Sequence, residues 1–209
     1  MLYDKDIREP LFDFLEETYG KARFLEEKQM GKSRADVVMV LPDQICGIEI
    51  KSDADTYIRL QRQVPDYDQY FDRNYIVAGT SHAMHVQEHV PEWWGIITVE
   101  MEEDGVDFYI LRKPRENPNM DWEKKMTLLW RPELVHIQEI NQMPKYKEKS
   151  KKFVIEKILL CVPRDKLREQ VSEELFERDY NTIHDQINAY RTANNKPKRR
   201  RKRRRRRAL

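Results

Sequence analysis

Residues 31–52, which read GKSRADVVMVLPDQICGIEIKS, contain two apolar runs separated by a short turn. The runs at 35–40 and 45–51 have the length and the β-branched content that are typical of strands. The four residues between them include Pro42, a residue type that favours turns. We therefore predict two neighbouring antiparallel strands joined as a hairpin.

Three charged side chains are expected to meet at one end of this hairpin. Residues two apart on a strand share a face, so Glu49 and Lys51 point the same way while Ile48 and Ile50 pack on the other side. Asp36 lies near the start of the first strand, whereas Glu49 and Lys51 close the second. Antiparallel pairing places those two ends side by side, so two carboxylates and one ammonium group converge at the edge of a buried sheet.

The flanking sequence predicts a mixed sheet covered by helices. Apolar residues at helical spacing indicate a helix over 4–19, ended by Gly20, and a second over 57–71 that Pro65 should kink or break. Residues 22–29 form an extended segment before the hairpin. After the second helix, a strand is predicted at 75–78, a helix at 81–90, a strand at 96–100 and an edge strand at 106–111. This order of elements favours an α/β fold.

The region after residue 112 has no strand pattern. The segment KPRENPN at 113–119 has the composition of a linker, and helices are expected at 132–141, 150–161 and 164–190. We therefore predict a core at 1–112, the linker, a small helical C-terminal module at 120–194 and a tail at 195–209 that is expected to be disordered.

Charge is distributed very unevenly along the chain. Residues 196–207 read KPKRRRKRRRRR and hold eleven of the 39 Lys and Arg residues. The other 28 face 37 acidic residues, so the formal charge of +2 is the sum of an acidic body and a cationic tail. Such a tail neutralises phosphates, and we expect Lys198, Arg199, Arg200 and Arg201 to contact nucleic acid; a solvated tail or targeting signal is the alternative.

Composition also argues against several classes of protein. No apolar run approaches the ~18–20 residues of a membrane span, and the N-terminus lacks the apolar region of a secretory signal. Cys46 and Cys161 are isolated, so neither a disulfide framework nor a CxxC zinc site is indicated. We expect a cytoplasmic, DNA-associated protein without a membrane partner.

The predicted cluster of Asp36, Glu49 and Lys51 suits metal chemistry. Two nearby carboxylates repel each other unless a cation lies between them, and oxygen ligands suit Mg²⁺ or Mn²⁺. A neighbouring lysine can stabilise charge on a transferring phosphate or orient an attacking water. The alternative is an exposed ion pair on a hairpin, which is common.

The same residues carry a resemblance to a known family. GKSRAD at 31–36, followed by a strand, a turn and GIEIKS at 47–52, resembles the PD-(D/E)XK, or restriction-endonuclease-like, nucleases, and archaeal-type Holliday junction resolvases show a similar arrangement. QVPDY at 63–67 resembles the QxxxY element of RecB-type nucleases. The run from EIKSDADT through RLQRQVPDYDQYFD to VPEWWGI is still more similar to uncharacterised bacterial and phage members. The resemblance covers about residues 4–100, with Ala35 where the name motif has proline.

The resemblance implies a restriction-endonuclease-like sheet and a role for each matching residue. Asp36 and Glu49 would bind the metal, with the Ile50 carbonyl as a third ligand, and Lys51 would be the catalytic cation. Gln63 and Tyr67 would orient Lys51 or the substrate, and Ser33 and Arg34 would contact the substrate. The superfamily usually adds an acid from the first helix, for which Glu9 is the first choice and Glu27 the substitute.

Three other features allow a functional and a structural interpretation. Residues 133–160 faintly resemble a SAP-type DNA-binding motif, and a helical appendage packed on the core is the favoured alternative. His82, His85 and His89 lie at helical spacing, but a solvated helix face is favoured over a metal site. Trp93 and Trp94 could stack on bases, although at least one is expected to be buried.

These observations predict a Mg²⁺-dependent nuclease that hydrolyses phosphodiester bonds in DNA. The alternatives are a non-catalytic DNA-binding protein that retains the fold and an interaction protein with a basic targeting signal. A homodimer is also possible for this fold. Because the sequence carries no interface signal, it does not decide between a monomer and a homodimer.

Overall fold

The computed structural model describes residues 3–53, 55–103 and 105–179. A six-stranded sheet lies at its centre, with the strands side by side in chain order. The strands are β1 (Arg23–Met30), β2 (Ser33–Val40), β3 (Ile45–Lys51), β4 (Arg73–Gly79), β5 (Gly95–Glu102) and β6 (Gly105–Arg112). Strands β3, β4 and β5 run parallel, and the pairs β1–β2, β2–β3 and β5–β6 are antiparallel.

Helices cover both faces of the sheet. They are α1 (Asp4–Tyr19), α2 (Leu60–Tyr70), α3 (Thr80–Ala83), α4 (Trp122–Met126), α5 (Arg131–Ile140), α6 (Lys151–Cys161) and α7 (Arg164–Phe176). The apolar side of α1 packs against one set of alternating strand residues, and the buried residues of α2 and of α4–α7 pack against the other set. Alternation along β3 therefore puts Ile48 and Ile50 on the α1 side. It turns Glu49 and Lys51 towards α2.

The predicted α/β class is confirmed, because a mixed sheet is flanked by helices and a helical region follows it. The hairpin of β2 and β3 forms as expected, with Val37 opposite Ile48 and Val40 opposite Ile45. The extended segment before it is a full strand, β1, that pairs along the length of β2.

Three local features differ from the sequence-based expectation. Of the two outcomes predicted for Pro65, the break does not occur, since α2 continues through it; Pro65 and Gln61 are both exposed, so water can satisfy the Gln61 carbonyl that loses its helical partner. The segment 81–90 is not one helix but the short α3 followed by a 3₁₀ turn, Val86–Glu88. Helix α4 was not anticipated, although Asp121 caps it by accepting two backbone N–H groups.

The chain divides into two compact units, residues 1–176 and 177–209. Helices α4–α7 belong to the first unit together with the sheet. The predicted linker at 113–119 contains no helix or strand, but the Asn117 side chain is buried and donates to the Asp68 and Phe71 carbonyls. The division into core, linker, module and tail stays a prediction. Residues 180–209, which include the whole predicted tail and the end of the predicted helical module, lie outside the described residues. Among the described helices, none is long and apolar enough to span a bilayer.

Candidate active site

Asp36 and Glu49 face each other where β2 and β3 diverge. The last pair in the ladder between these strands is Val37 and Ile48, and the next positions outward are Asp36 and Glu49. Beyond that pair, a side-chain hydrogen bond takes the place of the backbone hydrogen bonds between the strands: Asp36 Oδ2 accepts the Ile50 backbone N–H at 2.9 Å. The predicted juxtaposition of the two carboxylates is therefore present.

Glu49 is the centre of a buried hydrogen-bond network. Its side chain is 1% exposed, and one oxygen, Oε1, accepts from Lys51 Nζ at 2.5 Å and from Gln63 Nε2 at 2.6 Å. Gln63 Oε1 lies 3.3 Å from the same ammonium group, so Glu49, Lys51 and Gln63 form a closed triangle. Because each partner restrains the other two, the carboxylate has little freedom to rotate.

Tyr67 holds the other side of Glu49. Its hydroxyl lies 2.7 Å from Glu49 Oε2 and 3.1 Å from the Ile48 carbonyl, and it accepts the Asp36 backbone N–H at 3.2 Å. The ring is completely buried. It lies over Gly47, where an added Cβ would come within 2.6 Å of the ring. The glycine thus lets α2 approach β3 closely enough for this contact.

The two carboxylates are electrostatically unfavourable neighbours. Burial, followed by repulsion from Glu49, raises the pKa of Asp36 from 3.8 to about 7. The Ile50 N–H and the positive charges of Lys51 and Arg8 act in the opposite direction but do not cancel the effect. A cation between the carboxylates would remove the repulsion.

A second charged group borders the site from α1 and β1. Arg8 donates to Asp4 Oδ2 at 2.8 Å, to Glu27 Oε1 at 2.8 Å and to the Asp36 carbonyl at 3.1 Å. Arg34 holds the other Glu27 oxygen at 2.6 Å. The neighbours of Glu27 pair with Val37 and Ala35, which places Glu27 opposite Asp36. Its positive φ of 53° is rare for a residue with a side chain.

These groups line an open cleft of about 790 Å³. Its cationic residues come from α1, the β1–β2 turn, β2, β3 and the helical stretch that ends in α2, and its acidic residues lie among them. The cations are Arg8, Lys32, Arg34, Lys51, Arg59 and Arg62, and the acids are Asp4, Glu27, Asp36, Glu49, Asp55 and Asp66. The cleft therefore combines a dense set of oxygen ligands with groups that can bind phosphate.

Most of the site residues predicted from the sequence meet in this cleft, namely Ser33, Arg34, Asp36, Glu49, Ile50, Lys51 and Gln63. Tyr67 lies behind it and reaches Glu49 rather than the cleft surface. Glu9 is exposed and is not among the lining residues, whereas its substitute Glu27 is. Lys198, Arg199, Arg200 and Arg201 lie outside the described residues.

Four cationic lining residues were missed by the sequence reasoning: Arg8, Lys32, Arg59 and Arg62. For two of them the sequence contained a usable signal. Arg59 lies four residues before Gln63 and Arg62 one residue before it, so all three lie on the polar face of the same helical stretch. Arg8 lies one turn from Asp4, but nothing in the sequence shows that it faces β1 and β2.

The available ligands fit a magnesium or manganese ion in their chemistry. The two carboxylates and the Ile50 carbonyl supply only oxygen, and Mg²⁺ usually keeps several waters and takes one or two carboxylates from the protein. In the described part of the chain, no group of three His, Cys, Asp or Glu side chains is arranged to hold a metal ion. A site built on Asp36 and Glu49 would thus be an open one, completed by backbone, water or substrate.

The other sequence features have structural partners. Trp94 is buried and Trp93 half-buried, and both indole N–H groups donate to Asp68, as the expectation of at least one buried tryptophan required. The Tyr57 ring stacks on His89, and the Tyr57 hydroxyl donates to the His82 carbonyl. Helices α5 and α6, which span the SAP-like segment, contribute buried residues to the core; the DNA-binding interpretation of that segment stays a prediction.

Comparison with known proteins gives one family. No curated protein matches the sequence. The solved structure of Pyrococcus furiosus SfsA in complex with Ca²⁺ is 16% identical, with a TM-score of 0.30 over 54% of this chain and 61% of that chain, so the chain spans less than two thirds of SfsA. The family model of bacteriophage P4 protein cII matches residues 2–201, which is nearly the whole chain. The chain belongs to the bacteriophage P4 protein cII family.

Proposed function

We propose that this protein is a metal-dependent nuclease that hydrolyses phosphodiester bonds in DNA. The observation that carries the proposal is the pair of facing carboxylates, Asp36 and Glu49, beside the buried ammonium group of Lys51 in a cleft lined by cations and acids. A protein that only binds a polyanion gains nothing from two clustered carboxylates, because each one repels phosphate. The same carboxylates are useful when a divalent cation is to be held against that phosphate.

Asp36 and Glu49 would hold Mg²⁺ or Mn²⁺ together with the Ile50 carbonyl. The bound ion would supply charge stabilisation on the phosphate and would lower the pKa of the attacking water. Lys51 would neutralise the charge that develops on the phosphate oxygens; the contacts that hold its Nζ at the cleft, with Glu49 and Gln63, support this role.

Gln63 and Tyr67 would act as positioning residues. Each donates to one oxygen of Glu49, so together they orient the carboxylate that faces Asp36. Such outer hydrogen bonds typically matter by about 10–100-fold in metal affinity or activity. Glu27 is the better candidate for the third acid than Glu9, because it lines the cleft and lies opposite Asp36.

The proposal is tested by cleavage of end-labelled DNA substrates: duplex, single-stranded, flap and four-way junction. Each is incubated with Mg²⁺, Mn²⁺ or EDTA and with wild type, Lys51→Ala or Lys166→Ala. Lys166 is an exposed residue of α7 outside the cleft and serves as the matched lysine control. Metal-dependent cleavage is expected for wild type and Lys166→Ala, with a fall of about 100- to 1,000-fold in Lys51→Ala.

Two results would overturn the proposal. Cleavage that Lys51→Ala retains would indicate a contaminating nuclease. No cleavage of any substrate, with binding that does not respond to metal, would identify a non-catalytic DNA-binding protein.

A further inference from the structure

The charges that line the cleft fall into two sets. Most of the acidic and basic side chains there are engaged with each other or with the backbone. Glu27 and Asp4 are held by Arg8, Asp36 by the Ile50 N–H, and Glu49 by Lys51. The remaining acid next to β3, Asp55, accepts from the backbone N–H and the hydroxyl of Ser52 at 3.0 and 2.7 Å.

Three cations of the cleft are not engaged in this way. In the described part of the chain, Lys32, Arg59 and Arg62 have no carboxylate within ion-pair distance and donate no side-chain hydrogen bond, and all three are exposed. Among the acids of the cleft, Asp66 alone shares this unengaged state within the described residues. Among the unengaged groups of the described cleft, three cations therefore stand against one acid, although the six cations and six acids of the lining balance as a whole.

The three cations come from two separate elements that meet at the cleft. Lys32 lies in the turn between β1 and β2, next to Gly31, where an added Cβ would lie 3.2 Å from Asp66 of α2. Arg59 and Arg62 lie at the start of the helical stretch that ends in α2. Residues 59, 62, 63 and 66 share one face of a helix, and Gln63 shows that this face is directed to Glu49 and Lys51.

We propose that Lys32, Arg59 and Arg62 form a phosphate clamp that binds the nucleic-acid backbone on either side of the phosphate that a metal ion at Asp36 and Glu49 would bind. This inference deepens the proposed function by naming the residues that bind the substrate. Exposed, unpaired cations need not break an ion pair to bind a phosphate, whereas Arg8 and Arg34 must first release Glu27. The clamp is sequence-independent, because phosphates are the same at every nucleotide.

The clamp is tested by binding rather than by cleavage. Binding of a labelled 25-mer to the full-length protein is measured by fluorescence anisotropy from about 50 to 300 mM KCl, in EDTA and in Ca²⁺. Duplex DNA, single-stranded DNA and RNA are measured in separate arms of the experiment. The clamp variant carries Lys32→Gln, Arg59→Gln and Arg62→Gln. The control carries Lys113→Gln, Lys124→Gln and Lys166→Gln, which remove the same charge from exposed positions outside the cleft and outside the SAP-like segment.

The clamp variant is expected to bind about 10- to 100-fold more weakly at 100 mM KCl, and its salt slope should fall by about 2–3. The control should change affinity by less than about threefold, and the cationic tail contributes equally to all three proteins. Equal behaviour of the clamp and control variants would overturn the proposal. The arms show whether the backbone is bound as duplex DNA, single-stranded DNA or RNA.

The outcome is separable from that of the proposed nuclease activity. A loss of binding in the clamp variant without cleavage by wild type would retain the clamp and reject the nuclease. Cleavage by wild type with unchanged binding by the clamp variant would do the reverse. Unchanged thermal unfolding of both triple variants shows that the comparison is not one of misfolded proteins.

Discussion

The protein contains two buried lysine–carboxylate pairs that differ in what surrounds them. Lys125 donates to both oxygens of Asp72, at 2.8 and 2.6 Å, and the two side chains are 0% and 2% exposed. Asp72 also accepts the Ile45 backbone N–H. Lys51 and Glu49 are nearly as buried, at 7% and 1%, but this pair opens onto the cleft and has the Asp36 carboxylate beside it.

The difference distinguishes a pair enclosed in the core from a pair at the proposed active site. Taking charges out of water is costly, and burial lowers the pKa of Lys125 even with Asp72 in contact. At Asp72 the cost is offset by a complete set of hydrogen bonds within the core. At Glu49 a second carboxylate lies alongside, and burial together with repulsion from Glu49 raises the pKa of Asp36. A bound cation would offset both effects, as the proposed metal site requires.

The largest effect is expected for Asp36→Asn. The amide oxygen can still accept the Ile50 N–H, but it cannot supply the anionic ligand, so metal-dependent cleavage should fall by at least about 1,000-fold. Gel-based initial rates with the preferred substrate provide the measurement. Cleavage within tenfold of wild type would remove Asp36 from the proposed metal site.

The same variant should change the pH dependence of stability in the absence of metal. Because the pKa of Asp36 is about 7 in the folded protein and 3.8 ordinarily, the folded state binds the proton more tightly. Wild type should therefore lose unfolding free energy as pH rises from about 4 to 7, and Asp36→Asn should not show this component. Urea unfolding at several pH values measures it, and identical profiles would contradict the assigned repulsion.

The pair enclosed in the core should respond in the opposite way. Lys125→Ala leaves Asp72 buried without its counter-ion and should lower the free energy of unfolding by about 3–5 kcal/mol. Cleavage per folded molecule should stay unchanged, because Lys125 is not a cleft residue. The double variant Lys125→Met with Asp72→Asn should recover most of the stability, and urea unfolding of both proteins tests the pair.

A smaller effect on activity is expected for Tyr67→Phe, with Tyr75→Phe as its matched control. Both rings are buried and each hydroxyl makes a side-chain hydrogen bond, but Tyr67 bonds Glu49 whereas Tyr75 bonds Tyr19. Loss of a hydroxyl bond should cost both proteins about 1 kcal/mol of stability. Only Tyr67→Phe should lose cleavage, by about 10–100-fold; equal activities would make Tyr67 purely structural.

The smallest effect distinguishes the two candidate acids. Glu27→Gln should reduce cleavage by about tenfold, since Glu27 lines the cleft and shares Arg8 with Asp4. Glu9→Gln should have no measurable effect, because Glu9 is exposed outside the cleft. Parallel rate measurements on the two variants decide the point, and the reverse order of effects would restore Glu9.

The sequence predicts the parts of the site that follow from regular periodicity. The two-residue period of β3 gives the shared face of Glu49 and Lys51, and the helical period of α2 places Gln63 and Tyr67 together. Both conclusions need only local geometry. The hairpin turn then brings Asp36 to Glu49, since antiparallel register is short-range when the connection is short.

The remaining features depend on contacts that local sequence does not encode. Glu27 reaches the cleft because β1 pairs with β2 in one register and turns through a left-handed φ, neither of which a strand pattern reveals. Arg8 rather than Glu9 borders the site because of how α1 is rotated on the sheet. The buried Lys125 is likewise unpredictable, since α4 and its partner Asp72 are more than fifty residues apart.

The most direct test of the central claim is a calorimetric titration of Mn²⁺ into wild type, Asp36→Asn and the Lys125→Met/Asp72→Asn double variant at pH 7.5. The account predicts one Mn²⁺ per chain for wild type and for the double variant, and at least about tenfold weaker binding for Asp36→Asn. Unaltered Mn²⁺ binding in Asp36→Asn, or no binding to wild type at millimolar metal, would contradict a metal site at Asp36 and Glu49.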